Sequence, residues 1–135
     1  MTTLRLFRVI LPVRDLDRTV QFYSKLFETP GERVSPGRHY FNCGSVILAC
    51  YSPTADGDEL STGWRIHENQ YLYFAAPDLE AIYARIELAG GTLLTPIEHM
   101  PWGERIFYAL DPEGSRISFV DERTLFMGTT RLDSQ

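Results

Sequence analysis

Cysteine and lysine are scarce in this chain, and long hydrophobic runs are missing. The two cysteines, Cys43 and Cys50, among 135 residues are too few for the disulfide framework of a small secreted domain. A disulfide between them is sterically allowed but not required. The N-terminus lacks the continuous apolar stretch of a signal peptide, and no segment is apolar enough to span a membrane. These absences predict a cytoplasmic protein without a membrane partner.

Positive charge is also in short supply. The chain has 13 Lys and Arg against 18 Asp and Glu, which gives a formal net charge of −5. Because phosphate contacts need clustered basic side chains, we expect no nucleic-acid partner. Lys25 is the only lysine, so arginine supplies almost all of the cationic groups. Arginine favours planar, bidentate pairing with carboxylates.

The first third of the chain has the pattern of a strand, a helix and three further strands. Residues 6–13 alternate with one fully apolar side, which is typical of a strand. Asp15 suits a helix N-cap, and the apolar stripe from Leu16 to Phe27 predicts a helix that Pro30-Gly31 ends. Three short strands are predicted at 32–34, 39–43 and 45–51.

The same order of elements returns after a polar connector. A strand at 71–76 precedes a helix that begins after Asp78 and ends at Gly90-Gly91. Three strands are predicted at 92–100, 104–110 and 116–121, with a turn at 111–114 between the last two. A repeat of this kind predicts two copies of one structural module.

We therefore predict a single α+β domain over residues 1–135 that is built from two βαβββ modules. Module 1 covers about 4–52, a connector 53–69, module 2 about 70–122, and a C-terminal tail 123–135. Each helix must cover one face of its sheet to bury its apolar stripe. The helices are thus expected on the outer face, and the opposite face of a mixed sheet is free to curl into a cup.

Three stretches of the sequence match a known family. They are VRDLDRTVQFYSKLF, APDLEAIYARIELAGG and PWGERIFYALDPEGSRISFVD, in which DPEG precedes an alternating strand. In these stretches the chain resembles the vicinal-oxygen-chelate superfamily, which includes glyoxalase I, extradiol dioxygenases and bleomycin-binding resistance proteins. The resemblance extends over about residues 4–122. It implies paired modules whose cup is usually completed in a homodimer, with four inward strand positions that hold His, Gln or Glu in metal-dependent members.

The four positions that the resemblance assigns to metal ligands carry unsuitable side chains here. They fall on Arg8, Leu48, Tyr71 and Ser118. Arginine cannot ligate a cation, leucine has no donor atom, and neutral tyrosine and serine are weak ligands. A shift of one residue adds only Gln70. We therefore expect no metal cofactor, and the alternative is a displaced divalent-cation site through His39 or His99.

Nine residues are candidates for ligand contact in the cup: Arg8, His39, Leu48, Tyr71, Tyr73, Met100, Trp102, Phe107 and Ser118. Arg8 is expected to bind an acidic or polarised group of the ligand, or else a local acid such as Glu98, Glu104 or Asp121. The two tyrosines either stack on a planar ligand or pack within a half-buried strand. Trp102 is either a stacking lid or a hairpin anchor.

These features predict a metal-independent protein that sequesters an aromatic or drug-like small molecule in a dimeric cup. The alternative is an enzyme: a lyase, isomerase or dioxygenase with displaced metal ligands, or a metal-free acid–base catalyst that uses Tyr71, His39 or His99 near Arg8. No residue is assigned a catalytic role. A structural or regulatory domain with a vestigial cup is the third interpretation.

Overall fold

A computed structural model describes residues 3–59, 64 and 68–128 of the chain. Its strands are β1 Arg8–Pro12, β2 Glu32–Ser35, β3 Arg38–Cys43, β4 Val46–Tyr51, β5 Tyr71–Ala76, β6 Thr92–Leu93, β7 Glu98–His99, β8 Arg105–Leu110 and β9 Arg116–Asp121. The two α-helices are α1 Leu16–Phe27 and α2 Leu79–Ala89, and short 3₁₀ turns occupy Thr54–Asp56 and Glu122–Thr124.

The strands form two mixed sheets with matching orders. Sheet A runs β1-β4-β3-β2, and sheet B runs β5-β9-β8-β6, with β7 also paired to β8. The first strand of each module is parallel to the last one, β1 to β4 and β5 to β9, and the remaining pairs are antiparallel. The predicted α+β class and the repeated βαβββ order are confirmed.

Both helices begin at the predicted N-cap residues, and α2 ends at the predicted glycine. Asp15 accepts a hydrogen bond from the Arg18 backbone N–H, and Asp78 accepts one from that of Ala81, each at 3.1 Å. These caps satisfy amides that have no partner inside the first turn. Helix α1 ends at Glu28, which adopts φ 55, two residues before the predicted end, and α2 ends at Gly90 with φ 109.

Each helix packs on one face of its sheet, which we call the helix face; the opposite side is the open face. In sheet A, Leu11, Phe41 and Leu48 share the helix face and are buried beneath α1. In sheet B the helix face carries Phe74, Phe107 and Phe119, whose rings lie 5.1 to 5.4 Å apart. These side chains belong to one apolar core, so the alternate residues of the same strands lie on the open face.

One predicted strand is broken in the structure. Instead of a single strand over 92–100, the chain forms the two-residue strands β6 and β7 with Pro96 between them. Proline has no backbone N–H to donate to a ladder. Thr95 fills part of the gap, since its Oγ1 accepts from the Tyr108 backbone N–H at 3.0 Å.

The turn after β8 joins the two modules. The Tyr23 hydroxyl of α1 donates to Asp111 Oδ2 at 2.8 Å, and both groups are buried. Two residues later, the carboxylate of Glu113 accepts from the backbone N–H groups of Arg14 and Asp15 at 3.0 and 2.9 Å. This turn of module 2 therefore holds the first helix of module 1 at its N-terminus and at its buried face.

The two cysteines do not form a disulfide. Cys43 lies opposite Val46, whereas Cys50 lies opposite His39, so four residues of β3 separate the two rungs. That spacing is about 13 Å along a strand, beyond the reach of a disulfide. Both thiols are free.

Neither of the described helices has the length and hydrophobicity that crossing a membrane requires. Much of the predicted connector, including His67, lies outside the described residues.

We predict that Tyr23→Phe lowers the free energy of unfolding by about 2 kcal/mol, because buried Asp111 then loses its side-chain donor. Urea denaturation followed by circular dichroism measures the change. Tyr83→Phe is the matched control, since Tyr83 packs against Phe107 through its ring. Equal losses in the two variants would contradict a specific role for the Tyr23–Asp111 bond.

Candidate ligand-binding site

Three tyrosines form a cluster on the open face of sheet B. Tyr71 and Tyr73 come from β5, and Tyr108 comes from β8. Their ring centroids lie 5.8 to 6.3 Å apart, and the hydroxyls of Tyr73 and Tyr108 are 3.4 Å apart. Tyr71 is 38% exposed and Tyr73 57% exposed. The tyrosine cluster therefore presents aromatic surface to solvent, with polar groups at the ring edges.

The surroundings of Tyr108 disfavour its ionised form. Burial and the hydrogen bond with Tyr73 raise the pKa of Tyr108, so its phenol keeps its proton at neutral pH. Arg116 lies 5.8 Å from the Tyr71 ring and donates through Nε to the Glu68 carbonyl at 3.0 Å. These groups can stack, donate and accept hydrogen bonds, but Tyr108 is a poor general base.

Ser118 lies on the same face but is not available to a ligand. It pairs with Tyr73 on one side and Tyr108 on the other, and it is fully buried. Its hydroxyl donates to the Phe107 carbonyl at 3.2 Å. The prediction of a ligand contact by Ser118 is therefore corrected: the serine is part of the floor beneath the tyrosine cluster.

A second group on the open face of sheet A is centred on Arg8. The exposed guanidinium carbon of Arg8 lies 4.8 Å from the ring centroid of Phe7 and 5.3 Å from that of Tyr40. The strand register places Ile47 and Asn42 beside Arg8 on the same face. This arginine group combines one cation, aromatic rings and an aliphatic floor.

The acids considered as local partners of Arg8 are occupied elsewhere or stand apart. Glu104 accepts from the Trp102 indole N–H at 2.7 Å and from the Phe126 backbone N–H at 2.9 Å. Asp121 is bound by two other arginines, and Glu98 makes no ion pair with any described residue. Within the described part of the chain, Arg8 has no carboxylate partner.

Three predicted cup residues point the other way. Leu48, Phe107 and His39 lie on the helix face and are buried. His39 is bound on both ring nitrogens: Nδ1 accepts from Arg33 Nε at 3.1 Å, and Nε2 lies 2.8 Å from the Pro30 carbonyl. The prediction that these residues lie on the open face is therefore corrected. The central strands have bulky side chains on both faces, so the sequence did not show which face each residue occupies.

Met100 and Trp102 belong to the loop between β7 and β8. The Met100 backbone bonds to Glu104 and Gly103, and the Trp102 indole bonds to Glu104. Trp102 is 43% exposed. The indole therefore anchors its own hairpin while one part of the ring stays accessible, and its contact with a ligand remains a prediction.

The residues at the four expected metal positions do not fit a metal ion. Arg8 is a cation, Leu48 is in the core, Tyr71 is part of an aromatic cluster, and the Ser118 hydroxyl is already bonded. No group of three or more His, Cys, Asp or Glu residues gathers anywhere in the described chain. His39 and His99 lie in different sheets, and both ring nitrogens of His39 are already engaged by Arg33 and the Pro30 carbonyl.

The thiols are equally unsuited to nucleophilic chemistry. Burial raises the pKa of Cys50 to about 12 and also raises that of Cys43. Because the thiolate is the reactive form, these raised pKa values disfavour nucleophilic attack by either thiol at neutral pH. The two cysteines pack as small apolar side chains on the helix face.

A cleft of about 1000 Å³ separates the two modules. One wall is formed by the whole of β5, and the other includes Leu6, Val9 and Leu48 of module 1. Within the described residues, β1 pairs only with β4 and β5 only with β9. Strands β1 and β5 therefore each form one edge of their sheet, with β2 and β6 at the opposite ends, and the β5 edge borders this cleft.

Comparison with known proteins identifies the family of the chain. Residues 5–119 match the family model of the Glyoxalase/Bleomycin resistance protein/Dioxygenase superfamily. The chain belongs to this superfamily. No curated protein matches it.

Solved structures share the fold at low sequence identity. A glyoxalase-related enzyme from Fulvimarina pelagi is 19% identical over 93% of each chain, with a TM-score of 0.72. A glyoxalase/bleomycin resistance protein from Albidiferax ferrireducens T118 is 22% identical over 86% of this chain and 97% of its own, with a TM-score of 0.68. A protein of unknown function from Agrobacterium tumefaciens str. C58 is 24% identical over 90% and 96%, with a TM-score of 0.70.

Sequence analysis missed Tyr108 and Tyr40 on the open faces. A usable signal was present for Tyr108, since the short turn at 111–115 sets the register of β8 against β9. That register pairs Tyr108 with Ser118 and Phe107 with Phe119. Tyr40 lies in the regular β3–β4 ladder, on the face opposite buried His39 and Phe41.

An ion network at the end of β9 binds Asp121, one of the acids considered as a partner of Arg8. Buried Asp121 accepts from Arg123 at 2.8 Å and from Arg105 at 2.7 Å. Hydrogen bonds from Arg123 and then from Arg105 hold the pKa of Asp121 well below its usual range. Arg105 also binds Glu80 of α2 and lowers the pKa of that carboxyl.

We predict that this network makes the protein sensitive to acid. Asp121 and Glu80 have lowered pKa values in the folded state, so their stabilisation is present above the unfolded-state values and is lost as pH falls through the folded-state values. Stability should therefore decline below about pH 5.

Urea unfolding at stepwise lower pH measures this decline. Asp121→Asn should flatten it, whereas Glu122→Gln, an adjacent exposed carboxylate without a described ion pair, should leave the slope unchanged. The same slope for wild type and Asp121→Asn would show that Asp121 is not the controlling group.

Proposed function

We propose that the protein binds a planar aromatic small molecule without a metal ion, in a cup formed by the open faces of its sheets. Within its superfamily this is the behaviour of a binding or sequestering protein. The observation that carries the proposal is the tyrosine cluster of Tyr71, Tyr73 and Tyr108. Three adjacent, partly exposed rings on one sheet face offer edge and face contacts to a flat ligand.

Other candidate reactive groups of the described chain favour binding over chemistry. The expected metal positions hold no suitable ligand set, and burial raises the pKa of the Cys50 thiol in sheet A. The phenol of Tyr108 is also held in its neutral form. Orientation and hydrogen bonding are therefore the contributions that this face can make to a bound molecule.

We further propose that a homodimer completes the cup. The unpaired edges of β1 and β5 expose backbone N–H and C=O groups, which proteins usually cover or protect. Apolar side chains near the β1 edge are also exposed, with Leu6 at 68% and Ile10 at 43%. A second copy would cover both features in one interface and enclose the open faces.

We predict that neutral fused-ring probes such as 2-naphthamide bind the tag-free protein and that Tyr73→Ala weakens binding about tenfold. The mutation removes one exposed ring of the cluster, and an aromatic pair contributes about 0.5–1.5 kcal/mol beyond its buried area. Isothermal titration calorimetry measures the affinity, and mass spectrometry checks that the probe is recovered unchanged.

The control variant is Leu88→Ala, which removes an 84% exposed apolar side chain on α2. It should bind the probe like wild type. The proposal fails if no aromatic probe binds, or if Tyr73→Ala and Leu88→Ala behave alike. Conversion of the probe by wild type would favour the enzyme alternative.

We predict that sedimentation equilibrium gives twice the mass of one chain. Ile10→Glu, which places a carboxylate on the open face of β1, should shift the protein towards monomer because a charge at an apolar interface is costly to desolvate. Leu88→Glu is the control. A monomeric wild type at micromolar concentration would remove the dimeric cup from the proposal.

A further inference from the structure

Arg8 forms no ion pair with a carboxylate of the described structure. Five arginines lie in the strands: Arg8, Arg33, Arg38, Arg105 and Arg116. Four of them donate to an acceptor of the protein, namely the side chains of Asp17, Asp56 and Asp121 and the Glu68 carbonyl. Arg8 alone among the five has no described acceptor, and its contacts are to two aromatic rings.

From this contrast we infer that Arg8 is the anchor for a carboxylate on the aromatic ligand. The inference rests on the proposed function, since it concerns the same cup. A guanidinium binds a carboxylate through two parallel N–H···O bonds in a fixed plane. The guanidinium carbon lies 4.8 Å from the Phe7 ring centroid and 5.3 Å from that of Tyr40, and the residue is exposed.

The surroundings of Arg8 match an aromatic acid better than an inorganic anion. Ile47 lies next to Arg8 across the sheet, and Asn42 lies one strand further, about 10 Å away. This order gives a cation, an aliphatic floor for a ring, and an amide for a second polar group. A carboxylate needs only one cation, whereas a dianion would meet a chain with a net charge of −5.

Closure of the cup over Arg8 increases the need of its guanidinium for an anionic partner. Arg8 is exposed in the single chain, so water solvates its charge. A ligand or second subunit that covers this face would remove that water, and a buried cation without a partner is costly. An anionic group on the ligand is the partner that the described chain does not supply.

The test compares matched acids and amides. Calorimetry measures the affinity of 2-naphthoate and 2-naphthamide for wild type, Arg8→Gln and Arg18→Gln at one pH and ionic strength. Wild type should prefer the acid by about tenfold, which corresponds to about 1.4 kcal/mol. Arg8→Gln should lose the preference while it keeps its affinity for the amide. Arg18→Gln, which removes an exposed arginine of α1, should keep the preference.

The possible outcomes separate the two proposals. Equal affinity of wild type for acid and amide, or a preference that survives Arg8→Gln, overturns the role of Arg8 and leaves aromatic binding intact. Failure of both probes to bind wild type overturns both proposals. A thermal-shift measurement of each variant without a probe checks that a lost preference does not come from unfolding.

Discussion

The contact between the DPEG turn and helix α1 is the constraint on which the arrangement of the two modules depends. Tyr23 and Asp111 meet in the buried core, and Glu113 accepts from the backbone N–H groups of Arg14 and Asp15, immediately before α1. Burial raises the pKa of Tyr23, so its hydroxyl stays protonated and keeps donating. Asp111 also accepts from the backbone N–H groups of Glu113 and Ser115. The same turn is thus held by its own hydrogen bonds to Asp111 and also positions helix α1 of the other module.

The position of α1 then decides what the open faces present. With both helices on one side, the large apolar side chains of the central strands fill the helix face, and the other side is free for tyrosines and Arg8. Once the helix face is set, the alternation of side chains determines which residues lie on the open face, because a shift of one residue would exchange the two faces. The tyrosine cluster and the arginine group are therefore consequences of how the helices pack, although they lie outside the core.

The sequence predicts elements well here because caps, stripes and turns are local signals. Asp15, Asp78 and Gly90 act in the structure as their types suggest. The sheet face on which each strand residue lies was harder to predict. Strand β4 has the sequence VILACY and β8 has RIFYAL, with apolar or aromatic side chains on both faces. Such strands give no alternation that separates the core from the cup. Leu48 and Phe107 were misplaced for this reason, whereas Arg8 and Tyr71, on strands at the sheet edges, were placed on the open face.

An arginine at a family metal position changes the chemistry that the fold can support. A divalent ion offers open coordination positions, stabilises a developing negative charge and lowers the pKa of bound water. A guanidinium offers only donors in a fixed plane and does not give up its proton in proteins. It can hold and orient an anion, but it cannot exchange ligands or activate water. Arg8 lies on the open face beside the rings of Phe7 and Tyr40, so this position of the chain is chemically suited to holding an anion and unsuited to ligating a cation.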